Sequence, residues 1–168
     1  MSRGTPKEWL TWLTGDDPAL VDEARLSLGG TSPGRGIPVD PLHAGLRNSN
    51  SDVVFWSLIA LTGLGVEARG VTADVIDVGC SHQLFGIRQA SAVALASIAS
   101  GDQAATVALL KLLGDEKALV RREALQALIS MEGLCETDIA RIIAMRSDRD
   151  ADVARWAEIA QRNIQGAV

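Results

Sequence analysis

The chain has 168 residues, enough for one domain with a real core, and 47% of them are hydrophobic. With no tyrosine, two phenylalanines and many alanines, the composition suits small-residue helix packing and speaks against a β-sandwich. A net charge of −5 removes any global pull toward nucleic acid or an anionic membrane, although a local basic patch remains open.

The first predicted helix opens at Pro6, because Thr5-Pro-Lys-Glu8 is a capping box with proline at the first helical position. Met1 to Lys7 carry no apolar signal core, and no apolar run reads as long enough to span a membrane. Trp9 and Trp12 fall on this first helix, where a terminal unit must close a stack. The next helix runs from about Leu20 and is expected to be short. Residues 29–41 (GGTSPGRGIPVDP) hold four glycines and three prolines, too many for a helix, and predict a long irregular connector. Asp40-Pro41 offers a cap-then-proline start for the third helix, and Thr72 and Thr137 are candidate caps further on. Gly63, Gly65, Gly101 and Gly133 fall where helices should end.

These elements repeat. Segments beginning at Leu20, Val53, Ile87, Val120 and Val153 follow one another at steps of 33, 34, 33 and 33 residues. Four positions after each anchor stands a small residue: Ala24, Ser57, Ser91, Ala124, Ala157. Eight positions after it stand Leu28, Leu61, Leu95, Leu128 and, against the pattern, Gln161. Eleven positions before it stand Trp9, Leu42, Ile76, Leu109 and Ile142. A period in this range signals stacked supersecondary units. Each unit reads as two helices, A and B, joined by a turn too short for anything but an antiparallel pair. The predicted units are 5–30, 40–65, 72–100, 103–132 and 137–165, within one domain over 1–168.

The fourth unit, LLKLLGDEKALVRREALQALISM, resembles a HEAT repeat of the short bacterial kind also seen in phycobilisome-lyase-like proteins. The matching elements are the leucines of helix A, the turn aspartate, Val-Arg opening helix B, and the Ala/Leu pattern behind it. Residues 87–95 match well and 148–160 moderately, while the first two units match only through their spacing. The resemblance implies an all-α fold, a right-handed α-solenoid of about five antiparallel helix pairs whose concave face is the usual binding surface. It also implies that the turn aspartate bonds the arginine six residues later. Asp115 and Arg121 fit; His82 and Arg88 occupy the same slots; Asp148 faces Ala154, a broken rung unless Arg155 substitutes. The motif identifies an architecture, not an activity.

Counting along helix B from the anchor, offsets 0, 3, 4, 7 and 8 should face the stack, leaving 1, 2, 5, 6 and 9 outward. In the second unit that outward ridge is apolar: Val54, Phe55, Leu58 and Ile59. Either the preceding loop covers it through Ile37 and Val39, or it binds a partner. Farther along, the ridge turns basic at Arg88, Arg121, Arg122, Arg155 and Arg162, with Leu125 among them. The plain alternative is solvated or ladder arginines. Trp56 and Trp156, at offset 3, read as space-filling side chains between units.

The expected partner-binding set is therefore Val54, Phe55, Leu58, Ile59, Arg88, Arg121, Arg122, Leu125 and Arg155. It suits an acidic, amphipathic protein or peptide, steered by arginines and anchored on the apolar ridge. Cys80-Ser-His82, with His43 one unit earlier, lacks a complete ligand set, so no metal and no cofactor is expected. Cys80 and Cys135 read as reduced thiols. HEAT-like hydroxylases bind iron through His-Glu pairs, and this sequence has no His-Glu dipeptide. Trp56, Asp22 and the arginines are the residues a base-excising relative would need, but the acidic charge disfavours that role. No nucleophile or phosphate-loop motif is apparent. The expectation is a cytoplasmic, non-catalytic protein-binding module or adaptor, of regulatory or immunity type, without membrane association and monomeric or weakly dimeric. The alternatives are nucleic-acid binding or alkylated-base repair on the same face, and a self-associating structural protein.

Overall fold

A computed structural model describes residues 4–166, which form ten α-helices and two 3-10 segments, with no strand among them. The helices pair as α1 (Pro6–Trp12) with α2 (Pro18–Gly29), α3 (Val39–Gly45) with α4 (Ser51–Leu64), and α5 (Thr72–Ser81) with α6 (Phe85–Ile98). The last two pairs are α7 (Gln103–Leu112) with α8 (Ala118–Ser130), and α9 (Glu136–Ala144) with α10 (Ala151–Gly166). The even-numbered B helices pack in series, α2 on α4, α4 on α6, α6 on α8 and α8 on α10. The A helices form a second layer, α1 on α3, α5 on α7 and α7 on α9, with α3 reaching its neighbour through the 3-10 segment Gly65–Val71. This two-layer helical stack is an α-solenoid, and its core is the seam between the layers.

The repeat rows are the core. Ala24, Ser57, Ser91, Ala124 and Ala157 are fully buried, as are Leu28, Leu61, Leu95 and Leu128. Trp9, Leu42, Leu109 and Ile142 are buried on the A side, whereas Ile76 is half-buried and its neighbour Val75 takes the interior place. Gly45 and Gly79 both sit eight positions before their anchors, opposite the small residues of the B helices. A Cβ on Gly45 would lie 2.1 Å from Ser57 Oγ, and one on Gly79 2.9 Å from Ser91 Cβ. Glycine thus lets these two helix pairs approach closely. Ser57 and Ser91 stay satisfied in the interior by donating to Val53 and Ile87 carbonyls. Since these positions keep register through helix A, the extra residue of the 34-residue step belongs to the connector holding Gly65–Val71.

Several local expectations change. The capping box at Thr5 and Glu8 forms, with Pro6 at the first turn. But α3 starts at Val39 behind Pro38, with no side-chain cap, rather than behind Asp40. Thr72 is the first residue of α5, and Cys135, not Thr137, is the N-cap of α9. Helix α2 is 12 residues long, so the loop does not shorten it; α3, which follows the loop, has seven residues, as α1 does. Gly65, Gly101 and Gly133 take positive φ, while Gly63 lies inside α4, against the loop. There Thr31 Oγ1 donates to the carbonyls of Leu28 and Ala60, and the Gly34 N–H donates to Glu67. A Cβ on Gly63 would come within 2.4 Å of Thr31. The connector is thus pinned to the C-terminal end of α4.

Contrary to the sequence expectation, one helical stretch, Ser51–Ser81, is long and apolar enough to cross a bilayer by length and composition. Its apolar residues have another use here. Val53, Val54, Leu58, Ala60, Leu61 and Leu64 are buried in the stack, and the 3-10 segment Gly65–Val71 interrupts the α-helix.

Candidate binding face

A B helix inside the stack is covered on three sides: by its own A helix, by the preceding B helix and by the next one. Offset 3 faces backward. Trp56 lies over Gly29 of the first unit, Glu123 meets Gln89, and Trp156 meets Gln126. Offset 1 faces forward, since Arg88 and Arg121 reach the turn of the following unit. Offset 5 closes the same side: Leu58, Ala92 and Leu125 are buried, and only Arg25 and Glu158, in the first and last units, are exposed. What remains open is a narrow strip of offsets 2 and 6.

This geometry corrects the expected site. Val54 and Leu58 are buried between neighbouring B helices, so the expected four-residue ridge is reduced to half-buried Phe55 and Ile59. Leu125 is buried for the same reason. Arg121 is only 5% exposed at its side chain and Arg88 12%, and both serve as ties between units. Phe55 and Ile59 are half-buried, Arg122 is half-buried and Arg155 is exposed; these four stay on the open strip. Leu26, 79% exposed, and Val93, 37% exposed, join them, together with half-buried Gln89, Gln126 and Ile159. Trp56 is half-buried, with Phe55 edge-on to it at 5.7 Å.

The arginine ladder also runs differently from the expectation. Arg121 does meet the turn six residues before it, but through backbone: its Nη1 donates to the carbonyls of Asp115 and Glu116. Its carboxylate partner is Asp148 of the next unit, at 2.8 Å from Nε and 2.6 Å from Nη2. Arg88 likewise donates to the His82 and Gln83 carbonyls, and grips Asp115 through Nε and Nη2 at 2.7 and 2.9 Å. The rungs therefore join unit three to four and four to five. Ala154 breaks nothing, since Asp148 is already held by Arg121. Each aspartate also accepts the N–H two residues on, from Lys117 and Asp150.

These contacts set the charge states. The hydrogen bond from Arg121 holds the Asp148 carboxyl below the usual aspartate range, against the opposing effect of burial. For Asp115, burial pushes upward most strongly, yet the bonds from Arg88 and the Lys117 N–H and the nearby guanidinium charges bring it below that range. The hydrogen bonds to these carboxylates raise Arg88 and Arg121 in turn.

On the open strip, units three to five share a polar network centred on Glu123. Its Oε1 accepts from Arg122 Nη2 at 2.8 Å and from Gln89 Nε2 at 3.4 Å. With the Gln126 amide turned to satisfy both neighbours, its nitrogen donates to Glu123 Oε2 at 3.3 Å and its oxygen accepts from Trp156 Nε1 at 3.2 Å. Arg122 Nε is buried without an acceptor. Sequence reasoning placed Gln89 and Gln126 on the outward side but assigned them no role. The available signal was offset 3 itself, where Trp56, Glu123 and Trp156 replace the small residue expected of a tight joint.

Elsewhere, His43 Nε2 lies 2.8 Å from Asp74 Oδ2, and Arg47 donates to Oδ1 at 2.5 Å. The bond from His43 leads in holding the Asp74 carboxyl below its usual range. His82 Nδ1 accepts the Leu84 N–H, as a turn cap. Cys80 and Cys135 are free thiols, and Cys135 Sγ donates to Asp138. Among the described residues no three His, Cys, Asp or Glu side chains gather as a metal site. A cleft of about 490 Å³ opens between α1 and α3, floored by Leu10, Ala44, Gly45 and Val53.

No protein-family model matches the sequence, and no curated protein matches it. Solved structures do match the fold. The complex of CpcE and CpcF of phycocyanin lyase from Nostoc sp. PCC7120 superposes with a TM-score of 0.76 at 18% identity, over 93% of this chain and 97% of that one. An engineered protein matches at 0.68 and 23% identity, over 96% and 81%. A designed armadillo repeat protein in complex with the peptide (KR)4 matches at 0.66 and 15%, over 94% and 80%. At these identities the likeness is one of fold.

Proposed function

Since this chain is a HEAT-like α-solenoid, we propose that it is a non-catalytic, cytoplasmic binding module that takes a protein or peptide partner on the concave face of its B layer. The observation that carries the reading is the row at offset 6: Leu26, Ile59, Val93 and Ile159, interrupted only by Gln126, with Phe55 beside it. Open apolar side chains aligned across successive helices, next to polar ones, fit an extended or helical segment better than a compact small molecule. The two histidines, the natural candidates for proton transfer, are engaged in a hydrogen bond with Asp74 and in a turn cap. A designed armadillo protein of similar fold was solved with a bound peptide, which supports the same use of this architecture.

The test is selection of ligands for the full chain from a displayed random-peptide library. Replacing Ile59 and Val93 together by Asp should weaken the selected peptides by at least tenfold, on the order of one to two lost apolar anchors. Replacing Val107, 57% exposed on the A layer, should change nothing. Equal binding by both variants, or selection of no peptide at all, overturns the proposal.

A further inference from the structure

The arginines of this protein differ in how many of their donors are engaged. Arg88 and Arg121 are locked into bidentate ties, Arg25 lies near Asp22, and Arg162 near Glu158. Two arginines on the open strip differ. Arg155 is exposed, and no ion pair to it occurs among the described residues. Arg122 gives one Nη2 bond to Glu123 and leaves its Nε–H buried and unmet. A buried donor without an acceptor is a standing cost, which any arrangement supplying an acceptor relieves. Arg122 and Arg155 occupy the same helical position on the packed helices α8 and α10.

Glu123 pairs with Arg122 at 2.8 Å and offsets one of the two charges, leaving that of Arg155. Its two oxygens already receive Arg122, Gln89 and Gln126, so it serves as a fixed brace that orients the side chains around it. Arg122, Glu123 and Arg155 together carry one net positive charge, in a setting whose flanks are Val93 on one side and Ile159 on the other.

We propose that the open strip of the last three units is a receptor for an acidic side chain of an extended peptide segment, held between Arg122 and Arg155 and flanked by apolar residues over Val93 and Ile159. This rests on the binding-module reading and names the partner's chemistry. Arg122 turns outward to present Nε and an Nη to the incoming carboxylate, the fork geometry that guanidinium groups favour. Neighbouring helices packed about 9 Å apart correspond to about three residues of extended chain, so a carboxylate seated over α8 at Arg122, with Arg155 approaching from α10, lies about three residues from the positions over α6 and over α10. The recognised pattern is accordingly an Asp or Glu with an apolar residue about three positions to each side. Nucleic acid fits less well: a phosphate backbone needs a run of available cations, and among the described residues this stretch of the strip offers Arg122 and Arg155.

The experiment uses the full chain and fluorescent 11-residue peptides, acetylated and amidated, with leucines three positions on either side of a central Glu, Gln or Lys. Anisotropy should show the Glu peptide binding about tenfold more tightly than the Gln peptide, in line with loss of a charge-assisted fork. Arg155→Glu should reverse the order in favour of Lys, with unchanged far-ultraviolet circular dichroism. A 15-residue oligothymidylate should not displace the Glu peptide. Equal binding of the Glu and Gln peptides, with both lost on replacing Ile59 and Val93 by Asp, overturns the acidic receptor and leaves the binding module standing. No binding by any peptide overturns both. Displacement by the oligonucleotide, with selectivity for Glu absent, points to nucleic acid and overturns the proposal.

Discussion

The joints between units are built in two ways, and the division falls in the middle of the chain. In every unit from the second onward, the A–B turn carries a polar residue that accepts the N–H two positions on: Asn48, His82, Asp115 and Asp148. The residue at offset 1 of the preceding B helix is the counterpart of that acceptor in the repeat, and at Arg88 and Arg121 it reaches the turn. In the first two joints it is Val21 or Val54, where the turn carries Asn48 or His82; in the last two it is Arg88 or Arg121, opposite a carboxylate. The turn thus requires an acceptor, while the character of its second partner is free provided both sides change together. Arginine appears where the acceptor is a carboxylate, and valine where it is an amide or an imidazole. A buried ion pair and a well-packed apolar substitute are often close in net stability, whereas half of either is costly.

The largest effect should come from breaking an ionic joint on one side only. Asp148→Asn keeps the turn cap but leaves Arg121 buried without its counter-charge, and should cost about 3–5 kcal/mol in urea unfolding. Combining it with Arg121→Val rebuilds the Val21/Asn48 type of joint and should restore most of that loss. A double variant as unstable as the single one would show that the two kinds of joint are not interchangeable.

The two halves should also part company in acid. Asp115 and Asp148 titrate below the usual carboxylate value in the folded chain, so the unfolded state binds more protons as acid is added. Their stabilisation is complete above the unfolded aspartate value of about 3.9 and is lost as pH falls through their lower folded values. Protection of the amides in α8 and α10 should therefore fall before that in α4 as pH drops below about 4, while the Asp74 tie between α3 and α5 weakens in the same direction. Uniform acceleration along the chain would dissolve the distinction between the halves.

How much of this was legible in the sequence follows from the range of the forces involved. The rows Ala24 to Ala157 and Leu28 to Leu128 could be read because a residue facing its own A helix obeys the period of one helix. Val54, Leu58 and Leu125 were misread because periodicity within one helix records a single buried face, while the stack covers two more. The partner of Arg121 was misplaced because its spacing of six to Asp115 is satisfied by a carbonyl, and the carboxylate lies 27 positions away. The bond between Gln126 and Trp156 leaves only the large residue at offset 3 as a local trace, and nothing in that trace names its partner. It depends on how far apart α8 and α10 stand, which the size of Trp156 itself helps to set.

The smallest effect on stability is expected from moving an ionic joint into the apolar half. Val54→Arg with His82→Asp would copy the Arg88/Asp115 pair, since each pair joins offset 1 of one B helix to the turn acceptor of the next unit. The gain in charge-assisted bonds is offset by desolvating two charges, so net stability should stay within about 1 kcal/mol of the parent. Arginine also needs carbonyl acceptors at its own turn, as Arg88 has at His82 and Gln83. For residue 54 the corresponding carbonyls are those of Asn48 and Ser49, one and the same position in the repeat. The decisive readout is the acid profile, because amide exchange in α4 should now join that of α8 and α10 at low pH. A parent-like stability with an unchanged acid response would mean that the new pair forms in solvent rather than in the joint, and that Asn48 and Ser49 do not offer the seat that His82 and Gln83 provide.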